Sequence, residues 1–272
     1  MKKFLFIFLF SLSIYLNAQQ INFYGQAKPG DVIVGEGKNI KSAWLNDQKL
    51  LVSKSGMFIF GFDHDAKGKQ KVRVLFNNKK TKVFTYVLEK REYEIQKLHL
   101  ERKYVTPPKS EIKRIREEML KMKAARKKIG KLAAALYSTG FSYPVDSVDI
   151  TSVFGSRRIL NGKPHNVHNG IDFGAEEGDT IRAITDGIVR IAGSNFFYNG
   201  NFVLLDHGQG LSSVYLHMSK IIAKDGEKVK KGEPIGLIGA TGRATGPHLH
   251  LGVQWYNKRI DPMCLFDMKL PE

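Results

Sequence analysis

The sequence predicts a mostly β protein, with two β-rich parts joined by a basic helix. Three observations carry that prediction. Short alternating apolar runs, broken by turn residues, fill about Ile21 to Leu100. A stripe of Ile and Met at helical spacing follows Pro107 and Pro108. Beyond Tyr143-Pro144 glycine becomes frequent and the apolar runs are rich in Val and Ile. A length of 272 residues suffices for one large domain or two ordinary ones.

Residues 1–18 open with Met-Lys-Lys, continue as the thirteen-residue apolar run FLFIFLFSLSIYL, and end in Asn17-Ala18. This pattern predicts a secretory signal peptide, although Leu16 stands where cleavage prefers a small residue; an uncleaved anchor is the alternative. Residues 19–105 hold DVIVGEG, KLLVSKSGMFIFGF, QKVRVLF and TKVFTYVLE, separated by turn sequences such as DHDAKGK and NNKK. Strands at this spacing predict a small antiparallel sandwich of immunoglobulin-like type. Its two histidines, His64 in a polar turn and His99 in a charged tail, have no partner at ligand spacing. Residues 106–140 read as a helical linker with Ser110 as N-cap. Ile112, Ile115, Met119 and Met122 give it one apolar stripe, read as a packing face. Within residues 141–272, EGDTIRAITDGIVRIAG (177–193) is echoed by DGEKVKKGEPIGLIGATG (225–242), which suggests two related β-hairpin units.

Charge divides with the same boundary. Residues 1–140 hold 29 Lys and Arg against 12 Asp and Glu, whereas residues 141–272 hold 14 of each. In an exported chain such a surplus argues against nucleic acid; it reads either as attraction to an anionic membrane or wall surface, or simply as solvated faces. The only cysteine, Cys264, cannot form an internal disulfide, so an exported fold must rest on its core.

Chemistry collects in the last part. Six of the eight histidines lie between positions 165 and 250. HNGID sets His168 and Asp172 four residues apart, SSVYLHMS sets His217 at the end of a strand, and GPHLHLGV sets His248 and His250 on one strand face. Each motif alone is weak, because an isolated histidine is more often structural than a ligand. His165 reads as a loop residue, and His207, in LLDHGQG, as a structural hydrogen-bonding group. Tyr215 is read evenly as a substrate contact or a packing residue. Arg243, in the small-residue loop GATGRATG, is a candidate partner for a substrate carboxylate.

Taken together, His168-x-x-x-Asp172, His217 and His248-x-His250 resemble the lysostaphin/LytM family of zinc endopeptidases that cut peptidoglycan peptides. The resemblance extends through VFGSRR, HNGIDFGA, LLDHGQGLSSVYLHMS and KVKKGEPIGLIGATGRATGPHLHLGV, over roughly residues 145–265. It implies an antiparallel β catalytic domain of LytM type (duplicated hybrid motif) over residues 141–272. It also implies His168, Asp172 and His250 as ligands of one zinc ion, with His217 and His248 as the catalytic pair. The physical logic agrees: three N, N and O ligands leave a tetrahedral position for water, whose pKa zinc lowers from about 15.7 towards about 7. Spacing leaves open which of the two other imidazoles is base and which steadies the oxyanion. No tyrosine stands in RILNGKPHNV, where some members carry one shortly before the first ligand.

The resulting expectation is an exported, periplasmic or envelope-associated zinc metallopeptidase, a murein endopeptidase of D,D type, with peptidoglycan as its partner. The alternatives are a D,D-carboxypeptidase sharing the same site, and a non-catalytic regulator that activates other wall enzymes. A further expectation is that residues 110–140 cover the substrate groove and hold the enzyme latent.

Overall fold

The computed structural model describes residues 20–99, 106–164 and 167–271. The proposed signal peptide and His165 lie outside the described residues. The front part is two antiparallel sheets. One, in the order β1-β2-β5, contains β1 (Ile21–Tyr24), β2 (Val32–Gly37) and β5 (Met57–Gly61). The other, in the order β4-β3-β6-β7, contains β3 (Ile40–Leu45), β4 (Gln48–Leu50), β6 (Gly68–Phe76) and β7 (Thr81–Leu88). In β6 the alternation is plain: Val72, Val74 and Phe76 are buried while Lys71 and Arg73 are exposed. An aromatic layer fills the space between the sheets, with Phe23 edge-on to Phe84 at 4.8 Å and Phe60 6.1 Å from Tyr86.

Every residue of β5 is buried, although it belongs to a two-faced sheet. Its second face is covered by the C-terminal part. A Cβ at Gly61 would lie 3.0 Å from Ile260 and 3.3 Å from Trp255. The unbroken apolar run MFIFGF is therefore a strand buried on both faces. Arg91 adds a 2.6 Å ion pair to Asp261, and one apolar core runs through both parts. After β7 the chain forms β8 (Ile95–Leu98), which leaves the sandwich altogether.

The linker helix α1 (Ile112–Arg126) is shorter than the expected segment. Ser110 is not its cap. It lies in a preceding 3-10 turn, and no side-chain hydrogen bond caps the helix. The apolar stripe is only partly a packing face: Ile115 and Met122 are half-buried near Phe196 and Tyr198, whereas Met119 is 66% exposed. Glu118 fixes the helix by accepting the Phe197 N–H at 2.9 Å. Residues 131–140 then run in non-helical form, apart from a 3-10 turn, into the seam between the two parts.

The C-terminal part is built on an eight-stranded sheet. Its members are β9 (Ile150–Ser152), β12 (Gly170–Gly174), β14 (Gly187–Phe196), β15 (Gly200–Asp206), β16 (Leu211–Met218), β18 (Lys228–Val229), β20 (His248–Trp255) and β21 (Lys258–Ile260). A small sheet contains β13 (Thr180–Arg182), β17 (Lys220–Ile221) and β19 (Pro234–Leu237). A third contains β8, β10 (Arg157–Leu160) and β11 (Lys163–Pro164). The echoed segments are not hairpins, as the sequence suggested. β13 pairs with β19, and β14 with β18, so each unit's strands pair with the other unit's. Strands of two or three residues have too few ladder bonds to stand alone, and the exchange gives each a partner.

The turn between β15 and β16 locks the seam. Gly208 has φ 83°, and a Cβ there would lie 1.8 Å from the Ala134 carbonyl oxygen. Gln209 accepts the Tyr137 hydroxyl at 2.6 Å and donates to the carbonyls of Met57 and Ala133, each at 2.9 Å. One buried amide thus joins the sandwich, the linker and the C-terminal part. Beside it, His207 Nδ1 donates to the Asp186 carbonyl at 2.8 Å while Nε2 accepts from Ser213, the structural role expected of it. Burial pushes its pKa down to about 4.

Two outcomes follow from this seam. Gln209→Leu leaves Tyr137 and two carbonyls unpaired, and should lower unfolding free energy by about 2–4 kcal/mol in denaturant titrations. The unfolded His207 imidazole titrates near 6.5, so below that pH the unfolded chain binds a proton that the folded chain refuses. Stability should therefore fall between pH 6.5 and pH 4, by at most about 3 kcal/mol from this residue, and His207→Gln should flatten that part of the stability–pH curve.

Candidate metal centre

Register brings the site together. Asp172, on β12, is the direct cross-strand partner of His250, on β20, and Ser152 of β9 pairs with Asp172 from the other side. On β20 the side chains alternate, with Leu249 fully buried while His248 and His250 line a cleft of about 520 Å³. His168 stands just before β12, and its side chain is 1% exposed. Three atoms converge: His168 Nε2 lies 3.0 Å from Asp172 Oδ1, His250 Nδ1 lies 2.7 Å from the same oxygen, and the two nitrogens are 3.0 Å apart.

Hydrogen bonds outside this triangle orient it. The Nδ1–H of His168 donates to the Val153 carbonyl at 3.0 Å, which leaves the Nε2 lone pair aimed at the cluster. Arg158 Nη2 donates to Asp172 Oδ2 at 3.0 Å and so leaves Oδ1 for the cluster. Burial alone would raise the Asp172 pKa, but the two imidazoles beside it, His168 and His250, outweigh it and hold the carboxylate well below its ordinary range. Burial lowers the pKa of His168, against the attraction of Asp172, and favours the neutral imidazole.

Two nitrogen atoms and a carboxylate oxygen in this arrangement are the donor set of a divalent metal of borderline softness, zinc above all. Their separations are close to the roughly 3.3 Å edge of a tetrahedron with bonds near 2.0 Å. The residues fit the ion.

A second imidazole pair stands alongside. The rings of His217 and His248 are 4.9 Å apart, and His217 is 6.3 Å from His250. Each donates its Nδ1–H to a backbone carbonyl, His217 to Thr241 at 2.8 Å and His248 to Gly246 at 2.9 Å. Both therefore have a free Nε2 lone pair. His217 has φ 67°, a left-handed conformation rare in a non-glycine residue, within a register shift between β15 and β16. Burial, and then the neighbouring His248 and His250, push its pKa down to about 3.

The shift corrects one expectation. Tyr215 does not reach the cleft; it is fully buried, and its hydroxyl accepts from the Ile184 N–H at 3.0 Å and stands in hydrogen-bond contact with the Ser213 hydroxyl at 3.1 Å. Residues 215 and 217 share a face only in a regular strand, and the register shift ends that regularity. Arg243 does line the cleft, with its guanidinium 4.9 Å from the Tyr198 ring centroid. The linker does not cover the groove: α1 packs beside the β14–β15 turn, and the front part reaches the cleft through Gln96 and Leu98 of β8. Sequence reasoning missed Arg158 and Gln96, since neither stands at ligand spacing from a histidine. It also read His64 as without a partner at ligand spacing, whereas Asp63 Oδ1 lies 2.9 Å from His64 Nδ1 and Asp65, 77% exposed, stands in the same group.

Residues 166–262 match the model of peptidase family M23. The peptidoglycan DD-endopeptidase ShyA of Vibrio cholerae serotype O1 is 46% identical over 110 residues, which are 40% of this chain and 25% of that protein. The DD-carboxypeptidase/endopeptidase Mpg of Neisseria meningitidis serogroup B is 36% identical over 120 residues, 44% of this chain and 27% of the relative. The chain thus spans about a quarter of the length of these curated relatives. A crystal structure of a candidate M23 peptidase from Pseudomonas aeruginosa superposes with a TM-score of 0.64 at 28% identity, covering 88% of this chain and 95% of that one. The five converging side chains line one cleft, and all five stand within residues 166–262, the stretch that matches peptidase family M23.

Proposed function

We propose that this protein is an exported zinc metallopeptidase that hydrolyses amide bonds in peptidoglycan, as a D,D-endopeptidase acting on cross-links in the cell envelope. The observation that carries the reading is the meeting of three lone-pair donors beside two further imidazoles in one open cleft. The activities for which the V. cholerae and N. meningitidis relatives are named supply the substrate class. The second relative's name also favours a carboxypeptidase activity at the same site. In this reading residues 1–18 are the export leader, residues 19–105 an immunoglobulin-like sandwich, residues 106–140 the linker and residues 141–272 the catalytic domain.

His168, Asp172 and His250 would hold the zinc. When bound, zinc supplies Lewis acidity, which makes water a nucleophile at neutral pH and polarises the scissile carbonyl. The free Nε2 of His217 or His248 would take the proton that water loses, and the imidazole so protonated would then donate to the oxyanion. Returning that proton to the leaving amine completes the exchange of a C–N bond for a C–O bond. Arg243 is a half-buried cation in the cleft that meets no carboxylate among the described residues; desolvation lowers its pKa, so it favours an anionic partner. A free carboxylate of the stem peptide meets that need, and the Tyr198 ring keeps the guanidinium plane in place.

Mature protein incubated with purified sacculi should release muropeptides, and chelation or His250→Ala should abolish release; undiminished digestion under both conditions overturns the hydrolase reading. On synthetic cross-linked peptides, Arg243→Ala should lower kcat/KM about 10- to 100-fold, the loss typical of a charge-assisted hydrogen bond. The same substitution should have little effect on a substrate whose carboxylate is amidated.

A further inference from the structure

The front part contributes a strand to the metal centre. β8 pairs in parallel with β10 over four residues, and Gln96 stands directly beside Arg158. The strand is anchored at both ends, by the Arg157 N–H donating to the Glu94 carbonyl at 2.7 Å and the Asn161 N–H donating to the Leu98 carbonyl at 3.0 Å. Tyr93 packs on Gly155, whose φ is 79° and where a Cβ would lie 2.1 Å from the ring. Ile95 and Lys97 face solvent, while Gln96 and Leu98 line the cleft.

The carbonyl oxygen of Gln96 accepts two hydrogen bonds, from the Ser152 hydroxyl at 3.1 Å and from Arg158 Nε at 3.2 Å. Both donors lead to a proposed zinc ligand. Arg158 Nη2 holds Asp172 Oδ2 at 3.0 Å. Ser152, with its hydroxyl hydrogen given to Gln96, presents a lone pair to His168 Nδ1–H, 3.0 Å away. One amide oxygen thus fixes the rotamer of the guanidinium that orients the carboxylate, and the direction of the hydroxyl that shares the His168 Nδ1–H with the Val153 carbonyl. Its polarity is set by Arg158, because an amide N–H₂ in that place would face the Nε–H, which can only donate.

We infer that Gln96 is a positioning residue for the metal centre, so that the sandwich and its trailing strand complete the M23 site rather than restrain it. The inference rests on the zinc reading above. Groups that orient metal ligands typically contribute 10- to 100-fold in metal affinity, and the same scale applies to Gln96.

The experiment measures zinc affinity of the full mature chain by competition with a chromophoric chelator, and needs no substrate. Gln96→Met keeps the side-chain length but has no acceptor, and should weaken zinc binding about 10- to 100-fold. Gln96→Glu retains an acceptor and should bind within about 3-fold of wild type, on the same scale. In an Arg158→Met background, Gln96→Met should have a much smaller effect than alone, because part of its action passes through Arg158. Metal-free melting temperatures of the variants should stay together, which a merely structural role would not predict. Wild-type affinity in Gln96→Met, or fully additive losses in the double variant, overturns the inference while leaving the zinc reading intact. Failure of the wild-type chain to bind zinc overturns both.

Discussion

Three lone pairs pointed at one spot less than 3.1 Å across are the constraint on which the C-terminal part depends. Unrelieved, such an arrangement is repulsive, and side chains free to rotate would leave it. They are held by what stands behind them: a carbonyl and a hydroxyl on His168, a guanidinium on Asp172, and a β ladder that sets Asp172 opposite His250. The backbone supplies proximity and the outer hydrogen bonds supply direction. A divalent cation would turn the repulsion into attraction, which is why the donor set reads as a metal centre.

The same economy of backbone and side chain explains the second pair of histidines. Both turn their Nδ1–H to backbone carbonyls of the loop after β19, so that loop defines both tautomers. His217 reaches its carbonyl only through a left-handed backbone at a register shift. A regular strand would align it with Tyr215, which is committed to the core. The conformation is costly for a residue with a Cβ, and the neighbouring ladder holds it, with the Thr241 N–H donating to the His217 carbonyl and the His217 N–H to that of Asn199. Strain at a functional side chain is here a device for facing a groove from a strand that otherwise faces inward.

The front part is more than an appendage. Strand β5 of its first sheet is buried on both faces, its trailing strand forms part of the cleft wall, and the turn carrying Gln209 joins it to the linker and the C-terminal part. The linker is not a lid: its helix is packed against the outside of the β14–β15 turn. Its basic surface remains largely exposed, in keeping with the charge surplus of residues 1–140.

Features encoded at short range were readable from sequence. Alternation in QKVRVLF, the change of composition after Tyr143-Pro144, and the facing of His248 with His250 all follow from the two-residue period of a strand. The separation of His168 from Asp172, and the loop of small residues after β19, were likewise visible. What tertiary structure alone decided lies in contacts between distant segments: the exchange of strands between echoed units, the burial of Tyr215, and the links from Gln96 to Arg158 and Ser152 across 62 and 56 residues. A glutamine in a charged strand has no local pattern that announces its partner. Side-chain period is a property of the chain itself, whereas a hydrogen-bond partner is fixed only once two segments have been brought side by side.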